Sequence, residues 1–131
     1  MTVADTSFVV DLMRGDDGAQ AALAAAEADG RAIDVPSPVV HELFRGLVRS
    51  QRPVPEHQRI ASAMARLRML PGDLETARLA GDIEGGLWNA GKPIGIIDCM
   101  IAAAALQRGE AVLTRDVDHF SRVDGLLVQT Y

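Results

Sequence analysis

VADTSFVVDLMRG, Val3 to Gly15, is the stretch from which the rest of the chain can be read. It is apolar up to Asp5, Thr6 and Ser7 then supply cap chemistry, and Phe8, Val9, Leu12 and Met13 recur at helical spacing. The pattern predicts a strand, a turn and a helix, with the Asp5 carboxylate where the strand ends.

Outward from there the alternation repeats. Gly15 to Gly18 breaks the chain, and Ala19 to Ala28 is a run of helix formers closed by Asp29 and Gly30. Ala32 to Val35 predicts a second strand stopped by Pro36; Ser37 and Pro38 suit the N-cap and first turn of a helix that carries Glu42 and reaches about Ser50. Past the break at Arg52, Pro53 and Pro55, Ile60, Met64, Leu67 and Leu70 fall at helical intervals, predicting a fourth helix ended by Pro71 and Gly72. Asp73 suits the cap of a helix from Leu74 to Asn89. After a loop at Gly91 to Gly95, Asp98 opens an alanine-rich helix to about Arg108, with Gly109 as its terminator. Ala111 to Thr114 reads as a buried strand, Asp116 to Ser121 as a helical turn and Leu126 to Thr130 as the last strand. Strands alternating with helices favour an α/β fold with a mostly parallel sheet covered on both faces.

At 131 residues and 48% hydrophobic content, one domain over residues 1–131 can bury a core without disulfides or a structural metal. Cys99 is the only cysteine, which excludes an intrachain disulfide and a cysteine-based zinc site and fits a reducing compartment, with the cytoplasm as the expected location. Asp5 and Asp11 interrupt the apolar N-terminal stretch, which does not read as a signal peptide, and the longest apolar run, Cys99 to Leu106, is far short of a membrane span. A net charge of −5 argues mildly against a nucleic-acid partner, but six of the twelve arginines lie between Arg45 and Arg68, opposed within that stretch only by Glu56.

In open α/β sheets, ligands sit beyond the carboxyl ends of the strands. Asp5 ends the first strand, Asp116 follows the strand closed by Thr114, Asp98 begins a helix entering from that edge, and Glu42 rides the helix after the second strand. These four carboxylates can converge. Singly, each has a plain explanation: Asp98 and Asp116 suit helix N-caps, Asp5 suits the cap of the turn that follows it, and Glu42 suits a solvated face. Their company weighs the other way, since Ile94, Ile96 and Ile97 precede Asp98, Met100 to Ala105 follow it, and Val112 and Leu113 lead to Thr114, Arg115 and Asp116. Carboxylates crowded together among apolar groups repel one another and resist desolvation, and a bound cation relieves both. Oxygen ligands without histidine or cysteine at metal-binding spacing select Mg²⁺ or Mn²⁺ over Zn²⁺, and such ions suit phosphodiester hydrolysis.

VADTSFVVDLMRG (Val3–Gly15), VVHELFRG (Val39–Gly46), GIIDCMIAAAA (Gly95–Ala105) and VLTRDVDHFSRVDGL (Val112–Leu126) resemble, in order and across nearly the whole chain, the four motif blocks of VapC-type PIN domains. The resemblance implies a three-layer α/β/α sandwich in which Asp5, Glu42, Asp98 and Asp116 form the catalytic acidic cluster and Asp5, Asp98 and Asp116 hold Mg²⁺ or Mn²⁺. It implies that Thr114 orients the site and that Thr6 and Ser7 form the polar turn beside the first acid, with Asp118 the rival of Asp116 for the fourth position. It further implies an endoribonuclease that leaves 5′-phosphates, the toxin of a type II toxin–antitoxin pair, a homodimer, and a VapB-type antitoxin that lays a peptide across the groove. Arg14 and Arg45 stand as contacts for RNA or antitoxin; the Arg45–Arg68 stretch suits the same partners or a solvated helix face equally well.

A receiver-like phosphoacceptor domain also places carboxylates and a threonine at strand ends, but it needs a lysine after a late strand, and the sole lysine, Lys92, precedes the Asp98 helix. A haloacid-dehalogenase-like phosphatase wants a second aspartate where Ser7 stands. A catalytically inactive PIN-fold binding module is the remaining alternative, and the presence of all four acids weighs against it. His41, His57 and His119 are scattered, and His119 reads as a packing or hydrogen-bonding residue. Cys99 reads as a small hydrophobe, Trp88 as packing on the core or a subunit partner, and Ala102 to Ala105 as a surface for close helix packing.

Overall fold

A computed structural model describes residues 1–131 and contains five strands and seven helices. In chain order these are β1 (Thr2–Ala4), α1 (Thr6–Met13), α2 (Asp17–Ala28), β2 (Ile33–Pro36), α3 (Ser37–Val48) and α4 (Pro53–Met64). There follow β3 (Arg68–Leu70), α5 (Leu74–Asn89), α6 (Ile96–Arg108), β4 (Ala111–Leu113), α7 (Val117–Phe120) and β5 (Leu127–Gln129). The strands form one sheet in the order β3-β2-β1-β4-β5, and every pairing is parallel.

Because side chains alternate across a strand, Val3 and Ala4 point to opposite faces; both are fully buried, so helices cover β1 on both sides. Val3 sits opposite Asp34 on one side and Val112 on the other. The chain builds β1, β2 and β3 outward in one direction and then returns to place β4 on the other flank of β1. The reversal creates a switch point between the carboxyl ends of β1 and β4, where such sheets open a crevice. Phe8, Val9, Leu23, Ile33, Val35, Ile60, Ile101 and Phe120 fill the core, and Ala102, Ala103, Ala104 and Ala105 are all buried in α6.

Several elements start or stop where tertiary contacts overrule local signals. The largest departure lies at Arg68–Leu70. The helical spacing of Met64, Leu67 and Leu70 predicts one continuous helix, yet α4 ends at Met64 and Arg68–Leu70 pairs with β2 as an edge strand. Asp34 on β2 supplies the reason. Its carboxylate, 0% exposed, accepts from Arg68 at 2.6 Å (Nε) and 2.8 Å (Nη2), a forked contact that holds β3 in register opposite it. Arg108, at the end of α6, approaches the same carboxylate to 3.6 Å and Glu110 to 3.7 Å, tying the helix into the same cluster.

Smaller shifts follow from backbone chemistry. Pro53 starts α4 instead of breaking the chain, because a helix's first turn has no use for the N–H that proline lacks. Pro36 closes β2 and occupies the N-cap of α3 with no side-chain cap bond, so Ser37 is the first helical residue. In α1 the cap is Asp5 and not Thr6 or Ser7, and in α6 it is Gly95, leaving Asp98 inside the first turn. Trp88 is 71% exposed on α5 and does not pack on the core.

The ion cluster at β3 gives a direct test. Arg68→Ala leaves the buried Asp34 carboxylate with only the longer Arg108 contact and lowers the urea midpoint of unfolding clearly. Arg78→Ala, which removes two wholly exposed ion pairs, leaves the midpoint within error of the parent.

Candidate active site

Asp5 is the first residue past β1, and its carboxylate is 4% exposed. It caps α1 by accepting the Phe8 backbone N–H at 2.9 Å, and the Ser7 hydroxyl lies 2.8 Å from either of its oxygens. The Thr114 hydroxyl, fully buried just past β4, donates to Asp5 Oδ2 and accepts the Asp116 backbone N–H at 2.8 Å. Thr114 therefore stitches the ends of β1 and β4 together and aims the loop that carries Asp116.

Three further groups complete the cluster. Asp98 projects from the first turn of α6, and Asp116 caps α7 by accepting the His119 backbone N–H at 3.3 Å. The His119 ring turns back between them, its Nδ1 3.2 Å from Asp98 Oδ2 and 2.8 Å from Asp116 Oδ2. One ligand atom from each of Asp98, Asp116 and His119 lies within 4.8 Å of the other two. Buried Phe120 anchors α7 and fixes the ring's approach.

The electrostatics follow from this crowding. Burial pushes the Asp5 carboxyl above the ordinary range, against the hydrogen bonds from Thr114, Phe8 and Ser7, and the Asp116 charge pushes in the same direction as burial. Burial likewise raises Asp98, opposed by the contact with His119 and reinforced by the charges of Asp116 and Asp5. The pocket holds more negative charge than its protein partners offset. Carboxylate oxygens with one imidazole nitrogen, in a nest short of positive charge, fit a divalent cation.

Glu42 stands at the rim. Its Oε1 accepts the Thr6 hydroxyl at 2.7 Å and its Oε2 lies 3.2 Å from Arg45, so it joins the cluster through the residue beside Asp5. Asp118 lies outside: it is 79% exposed and pairs with Arg122 at 2.8 Å. Arg14 is exposed and shares a surface hollow with Glu56 and Arg59, away from the carboxylates. The arginine-rich stretch is largely neutralised, by Glu56 within it and by three acids outside it. Arg45 pairs with Glu42, Arg59 with Glu56, Arg66 with Glu27 and Arg68 with Asp34, which leaves Arg49 and Arg52 unpaired. A cavity of about 570 Å³ between α5, α6 and the ends of β2 and β3 is lined by none of the clustered carboxylates.

Sequence reasoning found one residue's role in part and missed another's. His119 reads from the sequence as a packing or hydrogen-bonding residue; the structure shows the hydrogen-bonding role, with Asp116 three residues before it, and adds Asp98, 21 residues away, which only the tertiary fold brings near. Arg115 follows Thr114 and extends to the α1–α2 turn, where Asp11 lies at 3.0 Å and Asp16 at 2.8 Å, while its guanidinium stacks 4.4 Å over the Tyr131 ring. That clamp holds the Thr114–Asp116 loop from its outer side. Cys99, next to Asp98, is buried; its thiol is pushed up to about 11, the mark of an inert core group.

A parallel α/β/α domain that gathers carboxylates at the switch point of its sheet defines a class, the open α/β folds with an acidic crevice beyond the carboxyl ends of their central strands. Within that class the chain belongs to the PIN domain family, whose model matches residues 2–126. It is 32% identical over 97 residues to the tRNA(fMet)-specific endonuclease VapC of Shigella flexneri, covering 74% of each chain. Its counterpart in Salmonella typhimurium is 31% identical over 90 residues, 69% of this chain and 68% of that one. Among solved structures, the DNA-bound VapBC complex of Salmonella typhimurium contains a chain superposing with TM-score 0.89 at 25% identity, covering 99% of this chain and 98% of that one. A Rickettsia felis VapBC complex on promoter DNA gives TM-score 0.92 at 21% identity, with 99% and 98% covered, a likeness of fold.

The raised Asp98 carboxyl fixes the sign of a stability effect. A folded-state value above the unfolded one means that the ionised group opposes folding, fully so above the raised value and not at all below the ordinary 3.8. Metal-free Asp98→Asn should therefore melt higher than the parent at neutral pH, with the gap closing as pH falls through that window. A melting series by differential scanning fluorimetry checks this, and a variant less stable than the parent at neutral pH refutes it.

Proposed function

We propose that this chain is a metal-dependent endoribonuclease, the toxin of a type II toxin–antitoxin pair, which hydrolyses RNA phosphodiester bonds at its acidic cluster. The convergence of Asp5, Asp98 and Asp116 at the β1/β4 switch point carries the reading, because three carboxylates crowded together, one of them buried, repel one another unless a cation joins them. Membership in the PIN domain family and the endonuclease names of the curated relatives support it.

Asp5, Asp98 and Asp116 would hold Mg²⁺ or Mn²⁺. Such an ion supplies Lewis-acid polarisation of a phosphodiester and charge stabilisation of the leaving oxygen. The protein's own groups do the rest. Thr114 and Ser7 orient the Asp5 carboxylate through their hydroxyls, and Thr6 presents Glu42, which is placed to take a proton from water at the rim of the cluster. Arg14, Arg49 and Arg52, exposed and unpaired, are free to meet RNA phosphates or an acidic antitoxin segment, whereas Arg45 is tied to Glu42.

Residues 1–131 act as one PIN domain in this reading. The VapBC complexes among the structural neighbours support a VapB-type antitoxin as partner. Exposed Phe44, Val48 and Val54 on α3 and α4, and Leu74 and Trp88 on α5, offer apolar surface for that antitoxin and for a second copy in a homodimer. No helix is long and apolar enough to cross a membrane, and the reading places the protein in the cytoplasm with its RNA substrate.

Cleavage of an RNA pool by purified protein with Mn²⁺ or Mg²⁺ tests the reading. The parent cuts, a chelator stops it, and folded Asp98→Asn and Asp116→Asn each lose roughly a hundredfold or more, the scale set by several kcal/mol of lost charge stabilisation. A folded Asp118→Asn keeps its activity. Equal cutting by parent and Asp98→Asn would mean that the chemistry lies elsewhere.

A further inference from the structure

We propose that His119 is a direct ligand of the bound ion, so that the centre is a mixed carboxylate–imidazole site preferring Mn²⁺ to Mg²⁺. The inference rests on the reading of the cluster as a divalent-cation site and specifies its donor set. Three observations carry it.

Asp116 and His119 are three residues apart at the start of α7, a spacing that brings both side chains to one face of a helix, and Asp98 closes the triangle from α6. The Nδ1 atom faces two carboxylate oxygens at once, at 2.8 and 3.2 Å. A single N–H on that atom can point at only one of them, whereas an unprotonated Nδ1 and both oxygens could each give a lone pair to one cation. Finally, the ring is held in place. Phe120, the next residue, is fully buried, while the His119 side chain keeps 41% of its surface exposed and stays reachable from solvent.

The chemical consequence concerns which metal is bound. Mg²⁺ dehydrates reluctantly and favours oxygen donors, while an imidazole nitrogen is a better partner for first-row transition ions. A histidine in the donor set raises affinity for Mn²⁺ more than for Mg²⁺.

Mn²⁺ bound to the protein without RNA is the probe, read by pulsed electron paramagnetic resonance. The parent should show modulation from a directly coordinated ¹⁴N nucleus. His119→Gln, checked for folding by circular dichroism and thermal melting, should lose that modulation and bind Mn²⁺ about tenfold more weakly with a smaller change for Mg²⁺. Bound Mn²⁺ without ¹⁴N modulation in the parent, or modulation that persists in His119→Gln, overturns the inference and leaves the carboxylate site intact. Failure of the parent to bind Mn²⁺ at all overturns both.

Discussion

The structure turns on one buried carboxylate. Asp5 ends the central strand of a sheet covered on both faces, so its side chain lies under protein however the rest of the chain is arranged. Its burial is tolerated because three donors meet it, from Phe8 and Ser7 in the following turn and from Thr114 across the sheet. Those donors in turn fix the start of α1 and the exit of β4. Asp98 and Asp116 are then brought near a charge that cannot move away, and a chemically poised crevice results from where a strand stops.

Much of this was legible along the chain, and the rest was not, for a consistent physical reason. The α5 boundaries and its Asp73 cap, the Gly109 terminator of α6 and the positions of Asp5 and Thr114 follow from local rules of capping, glycine conformation and strand pattern. The edge strand β3 was hidden because Leu67 and Leu70 fall three residues apart, a helical interval, and the group that overrides it, Asp34, lies 34 residues earlier. His119 was legible only in part, since Asp116 lies three residues before it but Asp98 comes from α6, and the arginine-rich stretch looked more cationic than it is because Glu27 and Asp34, which neutralise Arg66 and Arg68, come from α2 and β2. Local signals located the acids, whereas long-range pairings decided which of them meet.

The two edges of the sheet also divide their tasks. At the carboxyl edge, negative charge is gathered without full compensation, which opposes folding in the metal-free chain. Elsewhere on the same sheet Asp34 is matched by two arginines, and that cluster holds β3 and the end of α6 together. Stability is supplied away from the crevice, and the crevice keeps its frustration.

The hydrogen bond from Thr114 to Asp5 joins residues 109 positions apart, and the bond from Tyr131 to Asp11 spans 120. Contacts of such long range form late, after the intervening loops have closed. During synthesis the first acid leaves the ribosome long before the groups that complete its surroundings. A growing chain therefore carries no assembled crevice until β4 and the Thr114–Asp116 loop have emerged to meet the end of β1.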